Sequence, residues 1–362
     1  MNLDDQLQKT LNAVGDAYVQ NNPGDFAKFR DAVSARRRRR RVFLSSSVVV
    51  AGTALAAIVF AFSGDRVVDQ SVPVAGRDEV LQQAVQIPVG ENPSAVVSGA
   101  GFLWVTNPLD QTLTKVDIRS RTVVDTIDIG VRGEDVSVGT ESVWVGDEIG
   151  GTIVRVDPRT GELGESVDVG PGLSDLDTGL GYVWAVRGNE VLRIDQSTGA
   201  IDETVELGSE IVDIEVSQGN VWALETQKVT QIENDDELRT TPVNVALESP
   251  QDISISRDAV WVADPGANRM VRIDTTSQSE AGEYTLDGEY LQTAASAAGV
   301  FVIEEVDGVA QLVRLNPNTG EVVGSKAEIG GDPTEMIAWG TFVWITDAST
   351  GSLMGFDIAS LD

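Results

Sequence analysis

The chain has 362 residues, 26 Lys and Arg against 57 Asp and Glu, a net charge of −31, and neither cysteine nor histidine. Disulfides, thiolate metal sites, cysteine nucleophiles and Ser-His-Asp or Cys-His catalysis are therefore excluded, and the commonest general base at neutral pH is missing. The charge is uneven: residues 1–41 hold nine basic and five acidic side chains, the remainder 17 and 52. That acidic remainder repels nucleic acid and anionic lipid and favours cations or basic partners; it also serves solubility.

In chain order, Leu3, Leu7, Leu11, Val14 and Tyr18 share one face of a predicted amphipathic helix, stopped by Asn21-Asn22-Pro23-Gly24. A second short helix through Phe26, Phe29 and Val33 leads into the block Arg36–Arg41. Residues 42–62 then run for 21 positions without a charge, the length of one transmembrane helix at ~20 residues per crossing. Ser45, Ser46, Ser47 and Thr53 interrupt the run, but hydroxyls bond to helix carbonyls at tolerable cost. Arginines stay on the cytoplasmic side of a first span, so residues 1–41 are expected inside and everything beyond the span outside. The competing reading is a signal peptide cut near Val59-Phe60-Ala61; against it, the apolar run exceeds the ~7–15 residues of a signal core and 41 residues precede it. Residues 63–80, with Gly64, Pro73 and Gly76, read as an extracytoplasmic linker.

Residues 81–362 repeat. "FLWVTN", "SVWVGD", "YVWAVR", "NVWALE", "AVWVAD" and "FVWITD" centre on Trp104, Trp144, Trp184, Trp222, Trp261 and Trp344, and "GVFVIE" puts Phe301 at the same place. The steps are 40, 40, 38, 39, 40 and 43 residues, a period that propeller blades occupy. A glycine before the Trp strand (Gly101, Gly181, Gly219, Gly340) suits a tight turn. Next come a strand ending "VRVD" or "LRID", a turn such as "DPRTG", "DQSTG" or "NPNTG", and a closing strand such as "TIDIG". In those turns Asp or Asn bonds to the backbone ahead of it, and Gly takes the positive φ. Four short strands per period make one blade. The last unit lacks its closing strand, whereas "AVQIPVG", ending at Gly90, is a spare one. Joining the two ends predicts an all-β, seven-bladed β-propeller whose terminal strands share the last blade, which removes the open edges of the ring.

These units resemble the YVTN-like and virginiamycin B lyase-like seven-bladed propellers over about 280 residues. The resemblance specifies the fold more than an activity: propellers of this group include lyases and many sensor or binding domains. The lyase resemblance implies catalytic histidine and magnesium at the central face, and with no histidine in the chain no catalytic residue carries over. The front end, a short helix, an arginine cluster and one span, resembles membrane-bound anti-sigma factors and related actinobacterial envelope proteins. The zinc-binding form of those needs the missing His and Cys.

Nine residues before each Trp position stand Ala95, Asp135, Asp175, Asp213, Asp252, Gln292 and Glu335, with Asp177 and Glu215 two residues further on in two copies. This stretch is expected to be the innermost strand, with its polar residues around one mouth of the channel. Asp135, Asp175, Asp213, Asp252 and Glu335 are the candidate metal ligands, for calcium or magnesium, since hard cations take carboxylate oxygens. The alternative is that each Asp caps amides at the turn into its own blade, and repetition alone leaves both open. The tryptophans are expected to pack between blades, Trp339 lies off the repeat, and the Arg of "VxRID" is placed to pair with acids on the next blade. Three functions follow as expectations. The first is a non-catalytic binding, scaffold or sensor module whose propeller face meets an envelope protein or cell-wall component and whose residues 1–41 meet a cytoplasmic partner. The second is a metal-assisted lyase or hydrolase using the carboxylate ring. The third is a zinc-free anti-sigma-like signalling protein.

Overall fold

The computed structural model describes residues 85–361 apart from 218, 257, 258 and 325. The cytoplasmic helix expected over 1–41, the span over 42–62 and the linker over 63–80 lie outside the described residues. Among the described residues no helix is long and apolar enough to cross a membrane.

Seven antiparallel four-stranded sheets follow one another along the chain. Blades 1 to 6 take residues 96–128, 135–168, 173–206, 211–242, 252–285 and 289–329; blade 7 takes 333–357 and borrows 85–88 as its outermost strand. In that borrowed pairing Val85 faces Gly355 and Pro88 faces Ser352, and the Val89 amide continues it to the Gly351 carbonyl at 2.9 Å. Ile87 and Val89 are buried against blades 7 and 1. The innermost strands touch in an unbroken circle, including that of blade 7 (Pro333–Trp339) with that of blade 1 (Val96–Gly99). The propeller is therefore closed, by the termini, as the spare strand indicates.

The core is a set of seven blade-to-blade interfaces, not one central mass. Each Trp of the repeat is essentially inaccessible and packs on the following blade. Trp104 meets Val136, Val143 and Val145. Trp184 meets Ile214, Val221 and Ala223. Trp344 closes the circle on Leu103, Val105 and Val116. Phe301 does the same work between blades 6 and 7 beside Met336 and Val343. This explains why "FLWVTN" and "AVWVAD" are apolar almost throughout rather than alternating: with a blade on either side, both faces of the second strand are covered. Outer strands such as Thr122–Asp128 have one buried residue, Ile127, and read as mostly polar.

The turns follow their sequence. Gly101, Gly181, Gly219 and Gly340 have φ between 67° and 89°, a region open to glycine at no steric cost. Asp157 accepts the amides of Arg159 and Thr160 at 2.7 and 3.2 Å, and Asn316 those of Asn318 and Thr319 at 2.9 and 3.3 Å. The Ser197 hydroxyl and the Thr198 amide, also donated at such a turn, hold Asp195 down at about 2. The basic residue of "VxRID" departs from expectation. Lys115 Nζ donates to the Pro158 carbonyl of the next blade at 2.6 Å, Arg272 Nε to that of Pro317 at 3.0 Å, and an Arg193 Nη to that of Asp235 at 2.9 Å. Its partner across the junction is a turn carbonyl, because the turn aspartate is already engaged by its own amides; the acids that Arg193 does pair with, Asp202 and Glu203, belong to its own blade.

Candidate functional site

The residues nine before each Trp do form one tier of the channel wall. In four blades a β-bulge precedes the tier residue, between Leu173 and Asp175, Ile211 and Asp213, Tyr290 and Gln292, and Pro333 and Glu335. A bulge re-aims the side chain that follows it. Here the carboxylates turn toward the neighbouring blade.

Asp135 takes the amide of its own successor, Val136, on Oδ1 at 2.8 Å and the amide of Leu176 in the next blade on Oδ2 at 2.8 Å. Asp213 repeats this with Ile214 at 2.8 Å and, in the next blade, Ile253 at 3.0 Å. Asp175 reaches the Ile214 amide at 3.0 Å, and Asp252 the Thr293 amide at 3.1 Å together with the Tyr290 hydroxyl. Where the tier has no aspartate, another group makes the crossing. Gln292 Nε2 donates to the Thr334 carbonyl at 2.7 Å, Thr334 Oγ1 to the Pro93 carbonyl at 2.7 Å, and Ser94 Oγ to the Glu134 carbonyl at 3.1 Å. Every one of the seven junctions thus carries a polar stitch at this level. The expected capping role is present but reaches further than a turn within one blade: a carboxylate has two oxygens, and the second serves the neighbour. Glu335 accepts the Met336 amide at 3.0 Å.

The second tier holds Asp177 and Glu215. Asp177 accepts the Thr178 amide, the Val216 amide of the next blade and the Ser137 hydroxyl of the previous one, at 2.7, 2.7 and 2.8 Å. Burial pushes its carboxyl up to about 6, with the charge of Asp135 adding and those three donors opposing. Burial likewise lifts Asp252 to about 6, opposed by its contact with Asp213 and reinforced by the charge of Glu335. Asp213 and Glu215 rise well above the carboxylate range, by burial first and then by the acids around them. Asp175 and Asp252 stand close enough to the Asp213 carboxyl to influence it, the charge of Asp252 helping to push it up. Among the described residues no three His, Cys, Asp or Glu side chains form a set suited to a metal ion.

Sequence reasoning missed several members. Tyr290 occupies the place of Leu173 and Ile211, and its hydroxyl was the available signal. A second column of acids, three residues after the Trp position, was visible as the ending of "SVWVGD", "NVWALE", "AVWVAD", "GVFVIE" and "FVWITD". Asp264 and Asp347 are fully buried and accept the amides of Ser249 and Asp332 at 2.8 Å each. Glu225 takes that of Ser209 at 3.0 Å and Glu304 that of Asp287 at 2.8 Å. These four acids tie down the loops that enter the inner strands of blades 4 to 7.

No protein-family model and no curated protein matches the chain. Solved structures do. U3-55K superposes with a TM-score of 0.63 at 10% identity, covering 74% of this chain and 95% of that one. Virginiamycin B lyase from Staphylococcus aureus gives 0.60 at 16%, covering 74% and 94%. BamB from Moraxella catarrhalis gives 0.54 at 14%, covering 75% and 84%. At these identities the likeness is one of fold, and the class it defines with the seven sheets is the seven-bladed β-propeller.

Proposed function

We propose that the chain is a non-catalytic binding module: a propeller carried outside a membrane by the apolar run 42–62, presenting a face to an envelope protein or cell-wall component, with residues 1–41 available to a cytoplasmic partner. The observation that supports this reading is the use to which the first tier is put. Asp135 and Asp213 are each engaged by main-chain amides of two blades at once, and Asp175 and Asp252 by an amide of the next blade, which is the work of a frame. One structural relative fits such a reading. It is described as a catalytically inactive histidine-to-alanine variant of virginiamycin B lyase with quinupristin, and this chain has no histidine at all. A metal-assisted reaction retains one supporting feature, the crowding of Asp175, Asp213 and Asp252, which a divalent cation would relieve.

The test is topology and partner together. Protease added to cells stripped of any outer barrier should digest residues 81–362 and spare an N-terminal tag on 1–41, and gentle crosslinking from membranes should recover a stoichiometric envelope partner. A protected propeller, or a crosslinked partner confined to the cytoplasm, would overturn the proposal.

A further inference from the structure

Trp339 stands off the repeat, and the face of the ring that carries it differs from the other. Strands alternate in direction, so every blade has one end on each face. One face gathers the hairpins between first and second strands and the turns between third and fourth strands. At this face Lys115 Nζ reaches the Pro158 carbonyl of the next blade at 2.6 Å, and the Arg121 guanidinium lies over the Phe342 ring at 4.4 Å. The borrowed strand starts here too, since Val85 pairs with Gly355 near the end of the last strand and Pro88 with Ser352 at its beginning. The 22 residues between the apolar run and that strand span at most about 75 Å. Among the described residues four Lys or Arg side chains are exposed: Arg119, Arg121, Arg159 and Arg239. The first three sit in the outer turns of blades 1 and 2 on this face, where Asp117 and Asp157 are engaged by the amides of their own turns. Arg159 keeps its side chain 87% exposed although Asp157 lies 3.6 Å away. Arg239, in blade 4, is paired with Glu233 and Asp235. Flanking the three arginines, Trp339 of blade 7 is 44% exposed and Leu180 of blade 3 38%, both at inner hairpins of the same face. The exposed acids Glu91, Asp110, Glu210 and Glu289 lie on the opposite face, and Asp235, Asp236 and Glu237 lie across the ring in blade 4.

We propose that the sector of this face formed by blades 7, 1, 2 and 3 docks on an anionic lipid surface, with Trp339 and Leu180 at headgroup level and Arg119, Arg121 and Arg159 against lipid phosphates. This rests on the membrane-anchored reading above and deepens it, by fixing which face of the ring meets the bilayer. Tryptophan suits a membrane–water interface because its ring is apolar and its N–H polar. Each arginine near an anionic surface favours the docked state by about fivefold, and its planar fork matches phosphate oxygens. The tether enters on this same face and keeps the sector within reach, so the contact is intramolecular and is effective even when weak by itself. The acidity of the rest of the domain does not prevent it. Strands of six residues put the two faces about 20 Å apart, roughly twice the screening length of physiological salt. What repulsion remains turns the acidic face away from the lipid and toward the partner.

The experiment reconstitutes the full-length chain in vesicles of phosphatidylcholine alone and of phosphatidylcholine with phosphatidylglycerol, each carrying a headgroup nitroxide lipid. Quenching of tryptophan fluorescence is read in both. Six of the seven tryptophans are buried, so quenching reports on Trp339, and Trp339→Phe supplies the baseline. Quenching above that baseline is expected with phosphatidylglycerol, and it should disappear at high salt. Arg119→Gln combined with Arg159→Gln leaves Arg121 on Phe342 and removes no packed apolar group; it should shift the ratio of docked to free about thirtyfold toward free. Lysine at both positions should restore most of the quenching. No quenching above the Trp339→Phe baseline in vesicles that carry the chain would overturn the proposal and leave the anchor in place. So would quenching that is equal in the two lipids and unchanged in the double variant. A chain that floats with neither vesicle would overturn the anchored reading, and this inference with it.

Discussion

Asp135→Asn isolates what the first tier does. Both aspartate oxygens accept main-chain amides at 2.8 Å, one from Val136 and one from Leu176 in the next blade. Asparagine has one acceptor oxygen, and turning it to either amide sets its NH2 against the other. One charge-assisted bond is lost and a part-buried amide is left unpaired, a cost of about 1.5–3 kcal/mol. At roughly 2–4 °C per kcal/mol for a domain of this size class, the midpoint should fall by about 3–12 °C. A one-sided turn cap would behave otherwise, because asparagine caps nearly as well as aspartate. The control is Asp125→Asn on an exposed outer strand, where, among the described residues, the carboxylate accepts the adjacent Thr126 amide and no amide of another blade; its effect should stay within about 0.5 kcal/mol. Thermal melting of the full-length chain, followed by near-ultraviolet circular dichroism of the buried tryptophans, reads both. If Asp135→Asn melts with the wild type while Asp125→Asn does the same, the two-blade stitch is not what stabilises the junction.

Trp184→Ala should cost about 3–5 kcal/mol by opening the interface between blades 3 and 4, whereas Trp339→Ala, 44% exposed at the end of an inner strand, should change the urea midpoint little. Deleting residues 81–90 removes the outermost strand of blade 7, and a single cooperative loss of stability across the whole ring, read by calorimetry, is expected; an unchanged melting temperature would argue against closure through the termini. Stability should also fall as pH rises. Asp177 and Asp252 are lifted from 3.8 to about 6, so between those values the folded state holds protons that the unfolded chain has lost. The gain is complete below about 4 and disappears through about 6, by about 3 kcal/mol for each group. Below about 4 the exposed turn aspartates oppose this, since Asp195, at about 2 when folded, loses its bonds on protonation. Urea midpoints should therefore be higher at pH 5 than at pH 7.5, and the reverse order would contradict the assignment.

The period of about 40 residues, the Trp strand and the spare "AVQIPVG" carried the blade count and the closure, because each is a local pattern repeated until chance is excluded. The acidic column was legible too, but its use was not. Whether an aspartate serves its own turn or an amide some 40 residues further along the chain depends on how one blade leans on the next, and the bulges that set this leave no residue signature at Ser174 or Thr334 that differs from ordinary strand polarity. For the same reason the pairing of the repeat's basic residue with acids of the next blade is not met: across the junction Lys115, Arg193 and Arg272 reach turn carbonyls, which every residue has and no sequence displays.

Melting the full-length chain with calcium, with magnesium and with chelator tests most directly whether the first-tier carboxylates serve the ring or a metal. With their oxygens held by the protein's own amides, the midpoint should be the same in all three. A midpoint raised by calcium in the wild type, and not raised in the Asp213→Asn and Asp252→Asn variants, would contradict that account and return the channel to metal chemistry.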